Sequence, residues 1–374
     1  MRINRLVLHN FRNYAELSLD FPHNVNIFIG HNAQGKTNIL EAIYIGAMGR
    51  SYRTHNDMEL VRWRYPQGTV QLYFFRLDVA NELLFRFSQQ TAKQSQHKEI
   101  IYNGYSIKTR ELMGAFNVVL FSPEDLLLVK GMPAARRQFI DMEISQASPA
   151  YYSQLMKYNR LVSQRNNLLK KIRENRLHMD LLEPWDEQLV QAAARIVMKR
   201  REAVKKLAML ANLMHRKITA SRENLTLQYA LSGTENNEPI ADSELTEWYR
   251  QMLVKLRFTD VQRGSTGIGP HRDDLVLTVN NGINLRNFGS QGQQRTGVLA
   301  LKLAELEFIK SETGEYPVLL LDDVMSELDM VRREQLLSFI KDKIQTFITA
   351  TDQSYFPEKK MGRYYYVNQG TVME

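Results

Sequence analysis

Apolar and polar positions alternate over short runs at the start of the chain. Ile3-Asn4-Arg5-Leu6-Val7-Leu8 and Val25-Asn26-Ile27-Phe28-Ile29 carry the two-residue period of strands. From Thr37 to about Met48 the period lengthens, and Ile39, Leu40, Ile43 and Ala47 share one helical face. Residues 69–121 return to strand patterning, clearest in Val70-Gln71-Leu72-Tyr73-Phe74-Phe75 and Val118-Val119-Leu120-Phe121. Asn103-Gly104 between them marks a hairpin turn. The middle of the chain differs. Leu155, Tyr158, Val162, Leu169 and Ile172 fall at heptad spacing, interrupted by Arg165. After a break at Glu183-Pro184-Trp185, a second series runs through Leu189, Ala193, Ile196, Ala203, Leu207, Leu210 and Met214, interrupted by Arg200. Two long helices, each extending roughly 40 Å, fit an antiparallel hairpin; an ordinary helical subdomain packed on a head is the alternative. Residues 232–243 read as a polar surface loop, and from about 256 strand, loop and helix alternate again.

Charge sharpens the picture of that middle region. The 374 residues carry a net charge of +8. Arg195 to Lys217 holds eight basic residues against Glu202, and Lys157 to Arg176 holds seven against Glu174. These segments contribute +7 and +6, so the remainder of the chain sums to −5. Basicity confined to one region points to a polyanionic partner; a merely basic surface is the plainer alternative. With no cysteine, disulfides, thiol chemistry and Cys-bound zinc are excluded. The N-terminal segment lacks a signal peptide's apolar stretch, and no run approaches the ~18 apolar residues of a membrane span. The expectation is a soluble, cytoplasmic protein of two or three structural units without a membrane partner.

Gly30-His31-Asn32-Ala33-Gln34-Gly35-Lys36-Thr37 fits the P-loop pattern. The glycines let backbone N–H groups curl around phosphates, Lys36 can reach the β- and γ-phosphates, and the Thr37 hydroxyl can hold Mg²⁺. A strand before and a helix after supply the required context, so ATP and Mg²⁺ are the expected ligands. Late in the chain Val318-Leu319-Leu320-Leu321 reads as a buried parallel strand ending in Asp322-Asp323. At the carboxyl edge of such a strand Asp322 would hold Mg²⁺ and Asp323 would orient or activate the attacking water. Taken alone, the pair could equally cap a helix. Lys36, Asp322 and Asp323 are thus the candidate catalytic residues, with Thr37 and Asp322 as the metal ligands.

Ser290-Gln291-Gly292-Gln293-Gln294 resembles the signature motif of ABC-type ATPases, although a simple helix cap would look the same. Ser326-Glu327-Leu328-Asp329 resembles the D-loop of those enzymes. The expected fold is therefore α/β, an ABC-type P-loop ATPase head with a mixed sheet and flanking helices, plus a short helical arm. Residues 1–121 and 255–374 would form the head and 122–254 the arm. In such heads the signature faces a partner's P-loop, so Ser290, Gln291, Gly292 and Gln293 imply an ATP-sandwiched homodimer; one P-loop and one signature per chain suit a two-fold pair.

Across nearly its whole length the chain is similar to the RecF family, small relatives of the SMC and Rad50 ATPases. Phe11-Arg12-Asn13-Tyr14, Pro123-Glu124-Asp125, Lys130-Gly131-Met132-Pro133, Arg136-Arg137-Gln138-Phe139-Ile140-Asp141 and Gly269-Pro270-His271-Arg272-Asp273-Asp274 carry the resemblance. Without that context, Arg136-Arg137 would read as a solvated helix start and His271 as a satisfied surface histidine. The resemblance implies a weak, DNA-stimulated ATPase of recombinational repair and replication. Its ATP-driven dimer would bind duplex DNA, gapped DNA and single-strand/double-strand junctions, and with RecR and RecO it would help load RecA. Three positions depart from the general ABC pattern. Asp323 replaces the usual glutamate, which favours slow hydrolysis. Thr349-Ala350-Thr351-Asp352 stands where a switch histidine is common, leaving Thr351 or Asp352 to sense the γ-phosphate. No glutamine lies near Phe121-Ser122-Pro123-Glu124, where a Q-loop is expected.

Other functions meet obstacles in the same residues. A transporter motor fits a basic helical arm poorly, an SMC-like tether needs far longer arms, and a Rad50-type zinc hook needs cysteines. A nuclease would need a further acidic metal cluster.

Overall fold

Every residue of β3 (Val25–Ile29), β12 (Val318–Asp322) and β13 (Thr346–Ala350) is buried. Strands so apolar on both faces need cover on both sides, and in the computed structural model they pair in parallel at the centre of a six-stranded sheet. Residues 1–89, 96–175, 177–234, 240–280, 282–356 and 361–373 are described. The sheet is completed by β8 (Val118–Phe121), β14 (Arg363–Asn368) and β15 (Thr371–Met373), in the order β15-β14-β3-β13-β12-β8. Its register pairs Ala350 with Ile29 and Asp322 with Thr349. The carboxyl ends of β3, β13 and β12 therefore share one edge, where the chain turns into Gly30, Thr351 and Asp323.

A second, antiparallel sheet is formed by β1 (Arg2–Phe11), β2 (Tyr14–Asp20), β4 (Gln67–Arg76), β5 (Val79–Gln89), β6 (Gln96–Tyr102) and β7 (Tyr105–Ile107), in the order β2-β1-β4-β5-β6-β7. Asn103 and Gly104 close the β6–β7 hairpin, both at positive φ, as the sequence predicts. Helix α1 (Lys36–Met48) contacts β4 of this sheet and β8, β12 and β13 of the other. Sheet on both sides explains why eleven of its thirteen residues are buried, well beyond the single face seen in the sequence. Helices α2 (Thr109–Leu112) and α10 (Met330–Ile340) complete this unit, which comprises Met1–Asp125 and Glu305–Glu374.

The second unit is Leu126–Ala304. It contains α3 (Leu127–Lys130), α4 (Pro133–Ala147), α5 (Pro149–Asn175), α6 (Glu183–Ile218), α7 (Leu245–Arg263) and α8 (Leu285–Phe288). Strands β9 (Leu225–Ala230), β10 (Asp274–Val279) and β11 (Ile283–Asn284) form a small antiparallel sheet, and α9 (Gln291–Thr313) returns the chain to the first unit. The two long helices are present and antiparallel: Tyr151 meets Arg200 while Arg165 meets Asp186. They are not a lone hairpin, since α4 and α7 also pack on them. Pro184 does not break the chain. It sits in the first turn of α6, where its missing N–H costs nothing. The division at 254 drawn from the sequence also differs from the compact unit, because β10 pairs with β9 and α7 packs on α5 and α6, drawing 255–304 into this unit. Of the polar stretch 232–243, residues 235–239 lie outside those described.

The arginines that interrupt the two apolar series are buried, Arg165 fully and Arg200 at 2% exposure. A buried guanidinium needs carboxylates and further acceptors. Arg165 donates to Asp186, Asp260 and Thr266. Arg200 donates twice to Asp141, and to Tyr229 and the Pro270 carbonyl. They hold helices and loops of the unit together rather than facing solvent.

Candidate functional site

The turn after β3 leaves no room for side chains at its two glycines. A Cβ on Gly30 would lie 2.3 Å from the Val367 carbonyl oxygen. Gly35 has φ +117° and caps α1; a Cβ there would lie 2.5 Å from Asn13 Nδ2. Lys36 opens the helix. Its Nζ folds back to donate to the carbonyls of Gly30 at 2.5 Å and His31 at 2.8 Å. Burial lowers its pKa, and the carboxylates of Asp323 and Asp322 oppose that shift. An ammonium that, among the described residues, donates to loop carbonyls at a helix N-terminus can exchange them for phosphate oxygens.

Thr37 and Asp322, 285 positions apart, meet directly: Thr37 Oγ1 donates to Asp322 Oδ1 at 2.8 Å. Thr349 Oγ1 donates to the same oxygen at 2.9 Å, and the Tyr52 hydroxyl donates to Oδ2 at 2.8 Å. The hydroxyl and carboxylate are hard oxygen donors of the kind Mg²⁺ takes. No group of three or more His, Cys, Asp or Glu able to hold a metal occurs among the described residues. One carboxylate and one hydroxyl suit an ion that draws its remaining oxygens from phosphates and water.

Asp323 is unlike its neighbour. Its backbone is left-handed, φ 54°, and its buried Oδ1 has no hydrogen-bond partner among the described residues. Burial raises its pKa, the Lys36 charge lowers it, and Asp322 and Glu327 raise it further. A strained, under-bonded carboxylate with raised proton affinity has the character of a general base.

Around this core lies a frame whose purpose the sequence did not disclose. Asn13 Nδ2 donates to the Gln34 carbonyl at 2.9 Å and the Tyr14 hydroxyl to the Gly35 carbonyl at 3.1 Å. Arg12 clamps the fully buried Glu41 of α1 through Nε and Nη2, and Ser51 and Arg53 add to the same carboxylate. Gly370 N donates to the Gln34 carbonyl and Gln369 N to its side chain. Phe11-Arg12-Asn13-Tyr14 thus braces the loop and its helix. Tyr52 was missed altogether, because one tyrosine between Ser51 and Arg53 carries no periodic or motif signal.

Ser290 lies just before α9 and forms a reciprocal capping box: Gln293 N donates to Ser290 Oγ at 3.2 Å and Ser290 N to Gln293 Oε1 at 3.0 Å. Gln291 and Gly292 form the first turn. These residues belong to the second unit, and Gln293 Nε2 also bonds Glu223 there. In the D-loop-like segment Ser326 Oγ donates to the Asp323 carbonyl, and Asp329 caps α10. Asp352 spends its carboxylate capping the turn at Gln353–Tyr355. In the segment before it, Thr349 Oγ1 donates to Asp322 Oδ1.

Neither Arg136 nor His271 is a free surface group. Arg136 is buried, with Nε and Nη2 on Asp274 at 2.7 and 2.8 Å, and Arg137 donates to the Asp273 carbonyl. His271 accepts from the Tyr158 hydroxyl at 2.5 Å and lies 3.1 Å from the Thr266 carbonyl through Nε2. Burial pushes its pKa down to about 4.

The RecF/RecN/SMC N-terminal domain family matches residues 2–372. The DNA replication and repair protein RecF of Halothermothrix orenii is 48% identical over 94% of this chain and 92% of its own. That of Enterococcus faecalis is 42% identical over 100% and 98%. Among solved structures, the recombination mediator protein RecF with ATP, in the RecFOR pathway, superposes with TM-score 0.90 at 37% identity, covering 100% of this chain and 97% of that one. An Smc head domain from Pyrococcus furiosus shares the fold, with TM-score 0.56 at 16% identity over 100% and 95%.

Proposed function

The chain belongs to the RecF/RecN/SMC family and within it to the RecF proteins, and on that footing we propose that it is an ATP-driven, dimerising DNA-binding protein of recombinational repair and replication. The observation that carries the reading is the contact of Thr37 with Asp322 beside a Lys36 that donates to the carbonyls of its own loop.

In this reading ATP phosphates rest on the N–H groups of residues 30–37 and the start of α1. Lys36 leaves the carbonyls of Gly30 and His31 for the β- and γ-phosphates. Thr37 and Asp322 would hold Mg²⁺, which neutralises developing phosphate charge. Tyr52 and Thr349 fix the Asp322 carboxylate. Asp323 accepts the proton of the attacking water, and its short side chain keeps hydrolysis slow, as suits a switch.

Ser290 and the start of α9 are assigned to the γ-phosphate bound by a second copy. Exposed apolar side chains flank both elements expected at such an interface: Phe288 beside the signature, and Met330 and Val331 beyond the D-loop-like segment. Their contact with a second copy would remove this surface from water. The DNA surface is assigned to exposed basic residues of α5 and α6, among them Lys157, Arg160, Lys170, Lys171, Arg195, Lys199 and Lys205. RecR, RecO and RecA are the partners this family membership suggests. Titration calorimetry with ATP and Mg²⁺, on wild type and Lys36→Met, tests the nucleotide site. Unchanged affinity in a folded mutant would overturn it.

A further inference from the structure

Between Leu60 and β4 the chain makes a tight turn whose composition the ATP site does not use. Tyr65 N donates to the Arg62 carbonyl at 3.1 Å, closing a four-residue turn. Arg64 occupies its third position with φ 71°, where glycine would be free of strain. Trp63 is 84% exposed, the largest exposure of any large apolar side chain described. Arg64 and Tyr65 are exposed too, and the Arg62 guanidinium stacks 5.2 Å from the Tyr65 ring centroid. The run Val61-Arg62-Trp63-Arg64-Tyr65-Pro66-Gln67 contains no acid.

The turn is also anchored. Arg62 N donates to the Asn10 carbonyl at 2.8 Å and Arg12 N to the Leu60 carbonyl at 2.7 Å, while Val61 bridges to Phe11. Leu60 and Val61 are buried, and a Cβ on Gly68 would lie 2.4 Å from the Asn10 carbonyl oxygen. An aromatic held out into water on a fixed base loses little freedom when something stacks on it.

We propose that Trp63, flanked by Arg62, Arg64 and Tyr65, is a stacking site for the unpaired bases of single-stranded nucleic acid. The arginines supply phosphate contacts and the indole a face that any base can cover. Bases inside a duplex are already stacked, so the same residue adds little there. This inference rests on the DNA-binding reading above but concerns a different surface from the basic helices.

The test uses the full-length protein and three probes: a labelled oligothymidine, a gapped duplex, and closed circular duplex as competitor. Trp63→Ala is expected to weaken oligothymidine and gapped-duplex binding about ten-fold while competition by circular duplex stays within about two-fold; Trp63→Phe should recover most of the loss. Arg62→Glu with Arg64→Glu should weaken binding and flatten the salt dependence. The oligothymidine should also quench tryptophan emission in wild type more than in Trp63→Phe. Wild-type affinity for all three probes in Trp63→Ala would overturn the site, including the case where that variant loses only a protein partner. Absence of DNA binding by the wild type would instead overturn the broader reading.

Discussion

Asn13 donates from Nδ2 to the Gln34 carbonyl at 2.9 Å, and its Oδ1 accepts from Asn38 Nδ2 at 2.8 Å. A single amide thus ties the P-loop to the first turn of its own helix. Asn13→Ala removes both bonds, each contributing about 1 kcal/mol, so ATP affinity should fall roughly ten-fold. Asn13→Asp retains the acceptor and loses the donor, so it should fall between. Calorimetry checks the affinity and a thermal melt checks the fold. Full ATP affinity in Asn13→Ala would show that the brace is not needed for the loop.

The two aspartates should separate by phenotype. Asp323→Asn keeps size but cannot accept the proton, so hydrolysis should drop about 100-fold or more while ATP and dimer persist. Asp322→Asn weakens the oxygen set offered to Mg²⁺ and should raise the magnesium concentration needed for ATP binding. Turnover assays beside a magnesium titration distinguish them; identical behaviour would contradict the division of roles.

Arg200 and its basic neighbours should also part company. Removing one partner of a buried ion pair costs about 3–5 kcal/mol, so Arg200→Ala should lower the midpoint of urea unfolding markedly. Reversing Lys199 and Lys205 should leave stability nearly unchanged and weaken duplex binding. If about five phosphates are contacted, the wild-type log–log salt slope should be near −4.5 and the double reversal should flatten it. An unchanged slope would move the duplex site off α6.

His271 gives the second unit a pH dependence. Its pKa is about 4 when folded, below the ordinary histidine value. The unfolded chain therefore binds the proton more readily. Stability is fully present above about pH 6.5 and is lost as pH falls toward 4, by up to about 3 kcal/mol. Protonation would also place a hydrogen on Nδ1 facing the Tyr158 hydroxyl. Urea midpoints at pH 7.5 and 5 should differ less in His271→Gln than in wild type; equal differences would assign the effect to other groups.

β3 was legible from the alternation of Val25, Ile27 and Ile29 before Gly30, and β12 from the apolar run Val318–Leu321 before Asp322; β13, with Thr346 and Thr349 among its buried residues, carried no such signal. The P-loop and the aspartates were legible because their chemistry fixes their spacing. What the sequence concealed was mostly polar and long-range. Arg165 and Arg200 looked like interruptions of an apolar stripe, since nothing local names Asp186, Asp260 or Asp141 as partners. Asn13, Tyr14 and Tyr52 reach the site from other elements, so no period or cap marks them. Arg136 looked solvated because its partner, Asp274, lies 138 positions away.

The proposed ATP site is composite, completed by a second copy. Lys36→Met removes the phosphate ligand from one face and Ser290→Arg blocks the other, so neither variant alone should dimerise with ATP. Mixed together they can form a heterodimer with one intact site, pairing the Lys36 of one subunit with the Ser290 of the other. Sedimentation velocity of the mixture should show an ATP-dependent dimer that is missing from each variant alone. A mixture that stays monomeric with ATP while the wild type dimerises, or an ATP-dependent dimer of Ser290→Arg by itself, would contradict the arrangement.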